Sequence, residues 1–304
     1  MKEIKLKARA KINLTLDVTG KREDGYHLIR SIMQTVGLYD GIYMKPMVQG
    51  GIIIKSNLPW LPTDGRNLAY KAAALMQAKF RIPEGVFIEI DKRIPVAAGL
   101  AGGSADCAAV LVGMNRLFEL GLSMEELKGL AFLLGSDIPY CVQRGTVLAE
   151  GVGEILTPIK TPCPMCYIVL AKLPVSVSTA RVYRGLDWEK IENHPDTEGM
   201  LRVMAAEDII RMGQLLGNVL ESVTIPMHPR IALIKEELVH LGAVGALMSG
   251  SGPTVFGLFQ GEENAKKAAA AIRKKFGLKD VVATKIYHSN SDKRGEGKNG
   301  RNKI

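Results

Sequence analysis

Residues 94–104 read I-P-V-A-A-G-L-A-G-G-S, a short stretch with three glycines, Gly99, Gly102 and Gly103. Glycine has no side chain, so consecutive backbone N–H groups in such a stretch can approach an anion closely. Ser104 is a strong N-cap candidate for a following helix, and the positive end of a helix dipole favours phosphate. The pattern predicts a phosphate site; a flexible connection with an ordinary helix cap is the alternative.

A long apolar segment follows these glycines and predicts a buried helix over residues 105–120. Asp106 falls in the first turn of this helix. Its charge would compensate the helix dipole, and it would repel a phosphate unless the side chain points away. Residues 95–105 are called the glycine loop below.

The chain before and after the glycine loop alternates strand-like and helix-like stretches. Period-2 or β-rich character predicts strands at residues 4–8, 13–18, 29–36, 52–54 and 86–90. Helices are predicted at residues 67–80 and near residues 123–133, with strands returning to the same sheet before residue 154. We expect this first domain to end near Pro162.

The second half of the chain predicts a mixed domain. Strands are expected at residues 166–171, 244–248, 254–259 and 281–287, and helices at residues 178–186, 229–241 and 262–276, with a polar loop at residues 187–200. That order suggests an antiparallel sheet backed by helices. A length of 304 residues fits two domains, here residues 1–162 and 163–288, followed by a tail at residues 289–304.

Composition indicates an ordinary globular chain, with 47% hydrophobic and 23% charged residues. No window approaches the roughly 20 apolar residues that a bilayer span requires. The N-terminus, M-K-E-I-K-L-K, lacks the apolar region of a signal peptide. We expect a cytoplasmic protein without membrane association.

The net charge of +9 raises the question of nucleic-acid binding. Residues 289–304 hold five basic and two acidic residues without apolar periodicity, which predicts a disordered basic tail and leaves +6 for the body. A modest excess suits a body that holds a polyphosphate. Aromatic residues make up 6% without basic-aromatic repeats, so nucleic acid is not an expected partner.

Metal and redox signatures are weak. Cys163 and Cys166 have C-x-x-C spacing, but no second cysteine pair or histidine pair completes a zinc site. With Cys107 and Cys141 they are expected to be reduced and structural. The Walker A, Rossmann and protein-kinase motifs are also absent from the sequence.

Residues 94–109, I-P-V-A-A-G-L-A-G-G-S-A-D-C-A-A, closely resemble the ATP motif of the GHMP kinases, named for galactokinase, homoserine kinase, mevalonate kinase and phosphomevalonate kinase. The resemblance extends over about residues 4–288. Its other motifs are A-K-I-N-L at residues 10–14, D-G-Y-H at 24–27, L-G-S-D-I-P-Y at 134–140 and M-S-G-S-G-P-T-V-F at 248–256. Ala101 stands where many relatives have glycine, which bears on the backbone path of the loop.

The resemblance implies an α+β fold of two domains, a mixed sheet and helix domain similar to ribosomal protein S5 domain 2 and a ferredoxin-like antiparallel sheet with helices. It implies ATP with Mg²⁺ as cofactors, Lys11 and Asp137 as catalytic residues, and Asn67 and Leu68 at the adenine. Ser104 would help to bind phosphate or metal, and Gly250, Ser251 and Gly252 would support the loop. The loop residues that would wrap the triphosphate are Pro95, Val96, Ala97, Ala98, Gly99, Leu100, Ala101, Gly102, Gly103, Ser104 and Ala105.

Each catalytic role has a physical basis and a plainer alternative. Transfer to an alcohol needs a proton acceptor and positive charge, which a carboxylate and an ammonium supply. Asp137 would take the hydroxyl proton while Lys11 orients it and stabilises charge. A lysine in a strand is usually a solvated charge, however, and an aspartate in S-D-I-P is usually a cap. Asn67 likewise serves equally well as a helix N-cap.

The motifs resemble most the family branch whose acceptor is a methylerythritol carrying a cytidine diphosphate, phosphorylated on the 2-hydroxyl. His27 would bond the cytosine edge, and Tyr26 and Tyr183 would pack against the base. Asn13 and Asp24 are plausible polar neighbours. A turn histidine and core tyrosines are the structural alternatives.

Other functions remain open at this point. Another GHMP kinase would act on homoserine, mevalonate or a sugar, and a regulator on the same fold would bind nucleotide without catalysis. D-G-Y-H with Tyr183 argues against the former, and retention of Lys11 and Asp137 argues against the latter. The sequence is compatible with a monomer or a homodimer.

Overall fold

Two long antiparallel strands form the centre of the first sheet in the computed structural model, which describes residues 3–288. Strand β1 (Ile4–Lys21) pairs with β2 (His27–Met47), with register shifts near residues 9–11 and 13–15. The sequence predicted shorter, separate strands. Residues 8–18 are buried throughout, so the alternation that marks a half-exposed strand is lost in the middle of β1.

The remaining strands of this sheet extend it on both sides. They are β3 (Ile52–Ser56), β4 (Gly85–Asp91), β5 (Thr146–Glu150), β6 (Ile155–Pro158) and β8 (Gly217–Asn218). Strand β7 belongs to the second sheet. The order is β3-β4-β2-β1-β8, and β5 pairs with both β2 and β6. Strand β8 comes from the second half of the chain, so the first sheet is not built from residues 1–162 alone.

Four helices accompany the first sheet. They are α1 (Leu68–Phe80), α2 (Gly102–Leu117), α3 (Met124–Phe132) and α4 (Ile138–Gln143). Helix α2 has ten buried residues and packs closely on β2, because a Cβ at Gly113 would collide with the sulfur of Met44. Asn67 caps α1 as predicted, its side chain accepting from the N–H of Ala69 at 2.9 Å.

The second sheet confirms the predicted antiparallel arrangement. Its order is β11-β7-β10-β9, formed by β7 (Tyr167–Lys172), β9 (Gly245–Met248), β10 (Thr254–Phe259) and β11 (Val281–Lys285). The other helices are α5 (Thr179–Gly185), α6 (Thr197–Ala205), α7 (Ile209–Gln214), α8 (Glu221–Met227), α9 (Arg230–His240) and α10 (Glu262–Phe276). Helices α9 and α10 pack on this sheet.

The polar loop predicted at residues 187–200 is wrong in part. A 3₁₀ turn covers Trp188–Lys190, and α6 already begins at Thr197. The Asp196 side chain accepts from the N–H of Gly199 at 2.7 Å, so this residue within the predicted loop is the N-cap of α6.

The two sheets meet where the described chain ends. Val36 forms a β-bridge with Ile286, and the N–H of Tyr287 donates to the carbonyl of Thr35 at 3.0 Å. The domain boundary near Pro162 stays a prediction. The tail predicted at residues 289–304 lies outside the described residues.

Candidate active site

The glycine loop turns into α2 earlier than the sequence predicted. Helix α2 begins at Gly102, and its N-cap is Ala101, which has left-handed backbone angles (φ 55°, ψ 33°) and makes no side-chain capping bond. The prediction of Ser104 as N-cap is therefore wrong. The N–H of Ala105 already bonds the carbonyl of Ala101 at 2.8 Å, which places Ser104 inside the first turn. The first N–H groups of a helix have no hydrogen-bond partner within the helix. In α2 these are the N–H groups of Gly102, Gly103 and Ser104.

The backbone conformation and the close neighbours of Gly99 explain why this position of the loop is glycine. Its φ is +73°, and a Cβ there would collide with the carbonyl oxygen of Ser249 and lie 2.9 Å from that of Gly252. The Ser249 hydroxyl donates to the carbonyl of Gly99 at 3.0 Å. The turn that contains Gly250 and Ser251 therefore packs directly on the glycine loop.

Asn218 holds this turn in place. Its amide donates to the carbonyls of Met248 and Gly250, each at 2.8 Å. The Ser251 hydroxyl also lies 2.9 Å from that of Thr179. Ser249 stood in a motif quoted from the sequence, but no local pattern pointed to Asn218, which lies about thirty residues earlier in the chain.

Lys11 and Asp137 meet beside the glycine loop. The Lys11 ammonium lies 4.0 Å from Asp137 Oδ2, with side chains 5% and 43% exposed. The backbone N–H of Lys11 donates to the carbonyl of Leu100 at 3.1 Å, so this part of β1 touches the loop itself. Asp137 occupies the N-cap position of α4, yet its side chain makes no capping bond. Neither plain alternative, a solvated lysine or a capping aspartate, describes these side chains.

Asn13 connects the lysine to the sheet. The Lys11 ammonium donates to Asn13 Oδ1 at 2.9 Å, and the Asn13 amide donates to the Ser31 hydroxyl at 2.8 Å. Ser31 in turn donates to the carbonyl of Thr15 at 2.6 Å. All four residues are buried, so the ammonium is held in one direction. No local pattern around Ser31 indicates this contribution.

The residues predicted to hold a base form a second group. The rings of His27 and Tyr183 have centroids 5.3 Å apart. Burial and the charge of Lys21 lower the pKa of His27, which favours a neutral imidazole. Burial, and to a smaller extent the charge of Asp137, raises the pKa of Tyr183. Since the charge of Asp137 acts on Tyr183, this group lies within electrostatic range of the Lys11 and Asp137 pair.

Tyr26 and Asp24 occupy the turn between β1 and β2. The Tyr26 side chain is 61% exposed. The Asp24 carboxylate accepts from the N–H of Tyr26 at 3.2 Å and pairs with Arg22 at 2.7 Å. Asp24 therefore shapes the turn that presents Tyr26 to solvent.

The start of α1 lies against the start of α2. A Cβ on Gly103 would be 3.8 Å from the Leu68 side chain. Asn67 is occupied on both sides, since its amide donates to the carbonyl of Pro62 at 2.7 Å while its oxygen caps α1. The structure thus brings Asn67 and Leu68 beside the glycine loop.

Metal donors and membrane helices were searched over the described part of the chain. Residues 3–288 contain no group of three or more acidic, histidine or cysteine side chains arranged to hold a metal ion. Within the same residues, no helix combines the length and the apolar content needed to cross a bilayer. The four cysteines are free and buried.

Comparison with known proteins agrees with this geometry. The family profile "GHMP kinases N terminal domain" matches residues 67–145, and "GHMP kinases C terminal" matches residues 200–278. A protein of Lachnospira eligens named 4-diphosphocytidyl-2-C-methyl-D-erythritol kinase is 49% identical over 287 residues, covering 94% of this chain and 99% of that relative.

Solved structures show the same likeness. A 4-(cytidine 5'-diphospho)-2C-methyl-D-erythritol kinase superposes with a TM-score of 0.80 at 33% identity, covering 93% of this chain and 99% of the other. The mevalonate kinase of L. major, at 17% identity, superposes with a TM-score of 0.76, with 94% and 97% covered, and shows the shared fold alone. The chain belongs to the GHMP kinase family, and it is an enzyme that uses ATP.

Proposed function

We propose that this enzyme transfers the γ-phosphoryl group of ATP to the 2-hydroxyl of 4-diphosphocytidyl-2-C-methyl-D-erythritol, giving the 2-phosphate and ADP in the non-mevalonate pathway of isoprenoid biosynthesis. The similarity to kinases of that name supports the substrate. The observation that carries the chemistry is the 4.0 Å approach of Lys11 to Asp137 at the edge of the glycine loop.

The triphosphate is bound mainly by backbone. The first-turn N–H groups of α2 and the positive end of its dipole attract the β- and γ-phosphates, and glycine at positions 102 and 103 leaves the backbone open. Asn67 and Leu68, at the start of the neighbouring helix, hold the adenine. The loop keeps its shape because the turn at Ser249 packs against Gly99 and donates a hydrogen bond to its carbonyl.

Proton transfer falls to Asp137. Its carboxylate takes the proton of the 2-hydroxyl, that oxygen bonds to the γ-phosphorus, and the bond to the leaving ADP oxygen breaks. Lys11 orients the carboxylate and stabilises charge on the reacting oxygen. A hydroxyl oxygen lying about 3 Å from each group can contact both, because the two side chains stand apart rather than in direct contact.

Base recognition falls to the group around His27. A cytosine packs against Tyr26 and Tyr183, and the neutral His27 imidazole bonds its edge. Asn13 is a polar contact for the methylerythritol part, since its side chain already fixes Lys11. Asp24 acts on the substrate only through the turn that carries Tyr26.

Mg²⁺ fits this site as a nucleotide-borne ion. Mg²⁺ typically keeps several waters and binds substrate phosphates with few protein ligands, which suits a described chain without an acidic cluster. The Ser104 hydroxyl, in the first turn of α2, is the oxygen donor closest in sequence to the phosphate-binding N–H groups. When bound, the ion neutralises phosphate charge.

Location and assembly are part of the proposal. ATP as a substrate and four free thiols support a cytoplasmic enzyme. We propose a monomer or a homodimer of two domains divided near Pro162.

The test is an ATP-dependent phosphorylation assay of the purified chain with the cytidylyl substrate, using homoserine and mevalonate as control acceptors. We expect turnover of the first acceptor only. Lys11→Ala and Asp137→Asn should each lower kcat by roughly 100-fold or more, which is the scale of general base catalysis. Full activity in either variant, or preference for another acceptor, would contradict the proposal.

A further inference from the structure

Two hydroxyl groups, those of Thr179 and Ser251, meet where helix α5 touches the turn after β9. Their oxygen atoms lie 2.9 Å apart, and either hydroxyl can be the donor. Ser251 is buried, with 6% of its surface exposed, whereas Thr179 is exposed. This hydroxyl pair therefore lies at the boundary between the protein interior and solvent.

One proton of the hydroxyl pair has no acceptor in the described part of the chain. Each hydroxyl carries one proton, and the hydrogen bond between the two oxygens uses one of the two protons. Within residues 3–288, neither hydroxyl has a second hydrogen-bond partner. The pair can therefore donate one hydrogen bond to a bound molecule, and a phosphate oxygen is a suitable acceptor because it carries negative charge.

Helix α5 places the hydroxyl pair beside the residues proposed to hold the base. Thr179 and Tyr183 are four residues apart in α5, so their side chains lie on the same face of this helix. The centroid of the Tyr183 ring is 5.3 Å from that of His27. Thr179 is thus displaced by about 6 Å along the helix axis from the proposed base site.

The turn after β9 places the same pair beside the residues proposed for phosphoryl transfer. A Cβ on Gly250, the residue before Ser251, would lie 3.8 Å from Asn13 Oδ1. That oxygen accepts from the Lys11 ammonium at 2.9 Å. The hydroxyl pair consequently adjoins both the proposed base site and the surroundings of Lys11.

We propose that Thr179 and Ser251 bind the diphosphate of the acceptor substrate, an assignment that rests on the proposed function. In a cytidine diphosphate ester of methylerythritol, the two phosphates join the ribose that carries the base to the part that carries the reacting hydroxyl. Side chains that adjoin the sites for both ends of this molecule face its middle. The remaining hydroxyl proton donates to a phosphate oxygen, and such a hydrogen bond to a charged acceptor is stronger than one between neutral groups.

The turn that carries Ser251 is held by bonds that do not involve the substrate. The Thr224 hydroxyl donates to the carbonyl of Ser251 at 3.3 Å, and the Asn218 amide donates to that of Gly250 at 2.8 Å. Ser251 therefore orients the more exposed hydroxyl of Thr179 in the free protein. A donor that is already oriented loses less conformational freedom when the diphosphate binds.

The phosphates of ATP are a second candidate for these hydroxyls, because the turn after β9 also packs on the glycine loop. The acceptor is favoured because Thr179 belongs to the same helix as Tyr183 of the proposed base site. The affinity for ADP distinguishes the two candidates, since it should not change when the hydroxyls are removed.

The test compares two ligands that share the base and differ in the diphosphate. Cytidine 5'-diphosphate and cytidine are titrated calorimetrically into the full chain, with saturating ADP present to occupy the nucleotide site. Wild type should bind the diphosphate more tightly than the nucleoside. Thr179→Val and Ser251→Ala should each bind cytidine diphosphate about tenfold more weakly, while their affinities for cytidine and, measured separately, for ADP stay at the wild-type values.

Two further variants serve as controls. Thr179→Ser retains the hydroxyl and should bind cytidine diphosphate as wild type does. Thr157→Val removes the hydroxyl of an exposed threonine on β6, and it should leave the affinities for all three ligands unchanged.

Unchanged affinity for cytidine diphosphate in both Thr179→Val and Ser251→Ala would overturn the diphosphate assignment. Equal losses for cytidine and its diphosphate would also overturn it, because they would indicate a structural role, as would a loss confined to ADP. Equal wild-type affinities for the two cytidine ligands contradict diphosphate recognition without relying on the folding of any variant. If wild type binds neither cytidine ligand, the proposed function itself is contradicted.

Discussion

The Ser249 hydroxyl donates a hydrogen bond to the carbonyl of Gly99, joining residues 150 positions apart in the sequence. Gly99 lies in the glycine loop, and Ser249 directly follows strand β9 of the second sheet. This contact between the loop backbone and a distant turn fixes the loop. The proposed nucleotide site is therefore shaped by both halves of the chain.

Replacing Ser249 by alanine removes this bond and leaves a carbonyl without its partner. We expect ADP to bind roughly fivefold more weakly, the equivalent of about 1 kcal/mol. Calorimetric titration with ADP measures the change. Ser222→Ala is the matched control, because its hydroxyl also bonds a backbone carbonyl, that of Val219, but in a different turn. Equal affinities for both variants would show that the Ser249 bond does not shape the loop.

Ala101 has a backbone conformation that suits glycine. Its φ of 55° costs a residue with a Cβ about 1 kcal/mol or more. Ala101→Gly should raise the free energy of unfolding by about 0.5–1 kcal/mol, read from urea denaturation. Ala105→Gly, inside the helix, should lower it by a similar amount. A destabilised Ala101→Gly variant would mean that the left-handed conformation carries no strain.

Tyr183 distinguishes a stacking surface from a hydrogen-bonding one. Tyr183→Phe keeps the ring beside His27 and should leave the KM for the cytidylyl acceptor nearly unchanged. Tyr183→Ala should raise that KM by roughly tenfold or more, with a smaller effect on the KM for ATP. Steady-state kinetics with each substrate varied gives both values. Tyr43→Ala, on β2 beside Phe87, serves as the control for loss of an aromatic ring.

The stability of the protein should depend on Asp106 as pH changes. Its pKa is raised from 3.8 to about 8 in the folded chain, so folding favours the protonated form. This favourable contribution is complete below about pH 4 and is lost progressively as the pH rises to about 8. The free energy of unfolding of Asp106→Asn should therefore rise relative to that of wild type between pH 5 and pH 9. The reason is that the wild-type carboxyl group releases about one proton on unfolding in this range, and the amide releases none. Thermal unfolding at several pH values measures this, and parallel curves would contradict it.

Local sequence patterns predicted the features that depend on neighbours in the chain. The helix at Asn67 was found because a cap precedes an alanine-rich repeat, and the glycine loop was found from its own residues. The cap at Ser104 was predicted wrongly because Ala101 adopts a left-handed conformation that alanine rarely takes.

Contacts between distant residues could not be predicted in this way. Asn218 and Ser31 are ordinary polar residues in the sequence, and only the folded chain brings them to the glycine turn and to Asn13. The charge of Asp106 is a difficulty for phosphate binding in the sequence, but its pairing with Lys92 depends on the residue after β4 meeting the first turn of α2. Resemblance to a family placed Lys11 and Asp137 together where spacing alone could not.

The carbonyl groups of Ser249 and Gly252 fill the space next to Gly99, so the turn that follows β9 is the support against which the glycine loop packs. A fragment cut after the first sheet would retain every residue of the glycine loop and yet have nothing behind it. The shape of the glycine loop is accordingly a property of the finished chain, acquired only once the strands of the second sheet have been added.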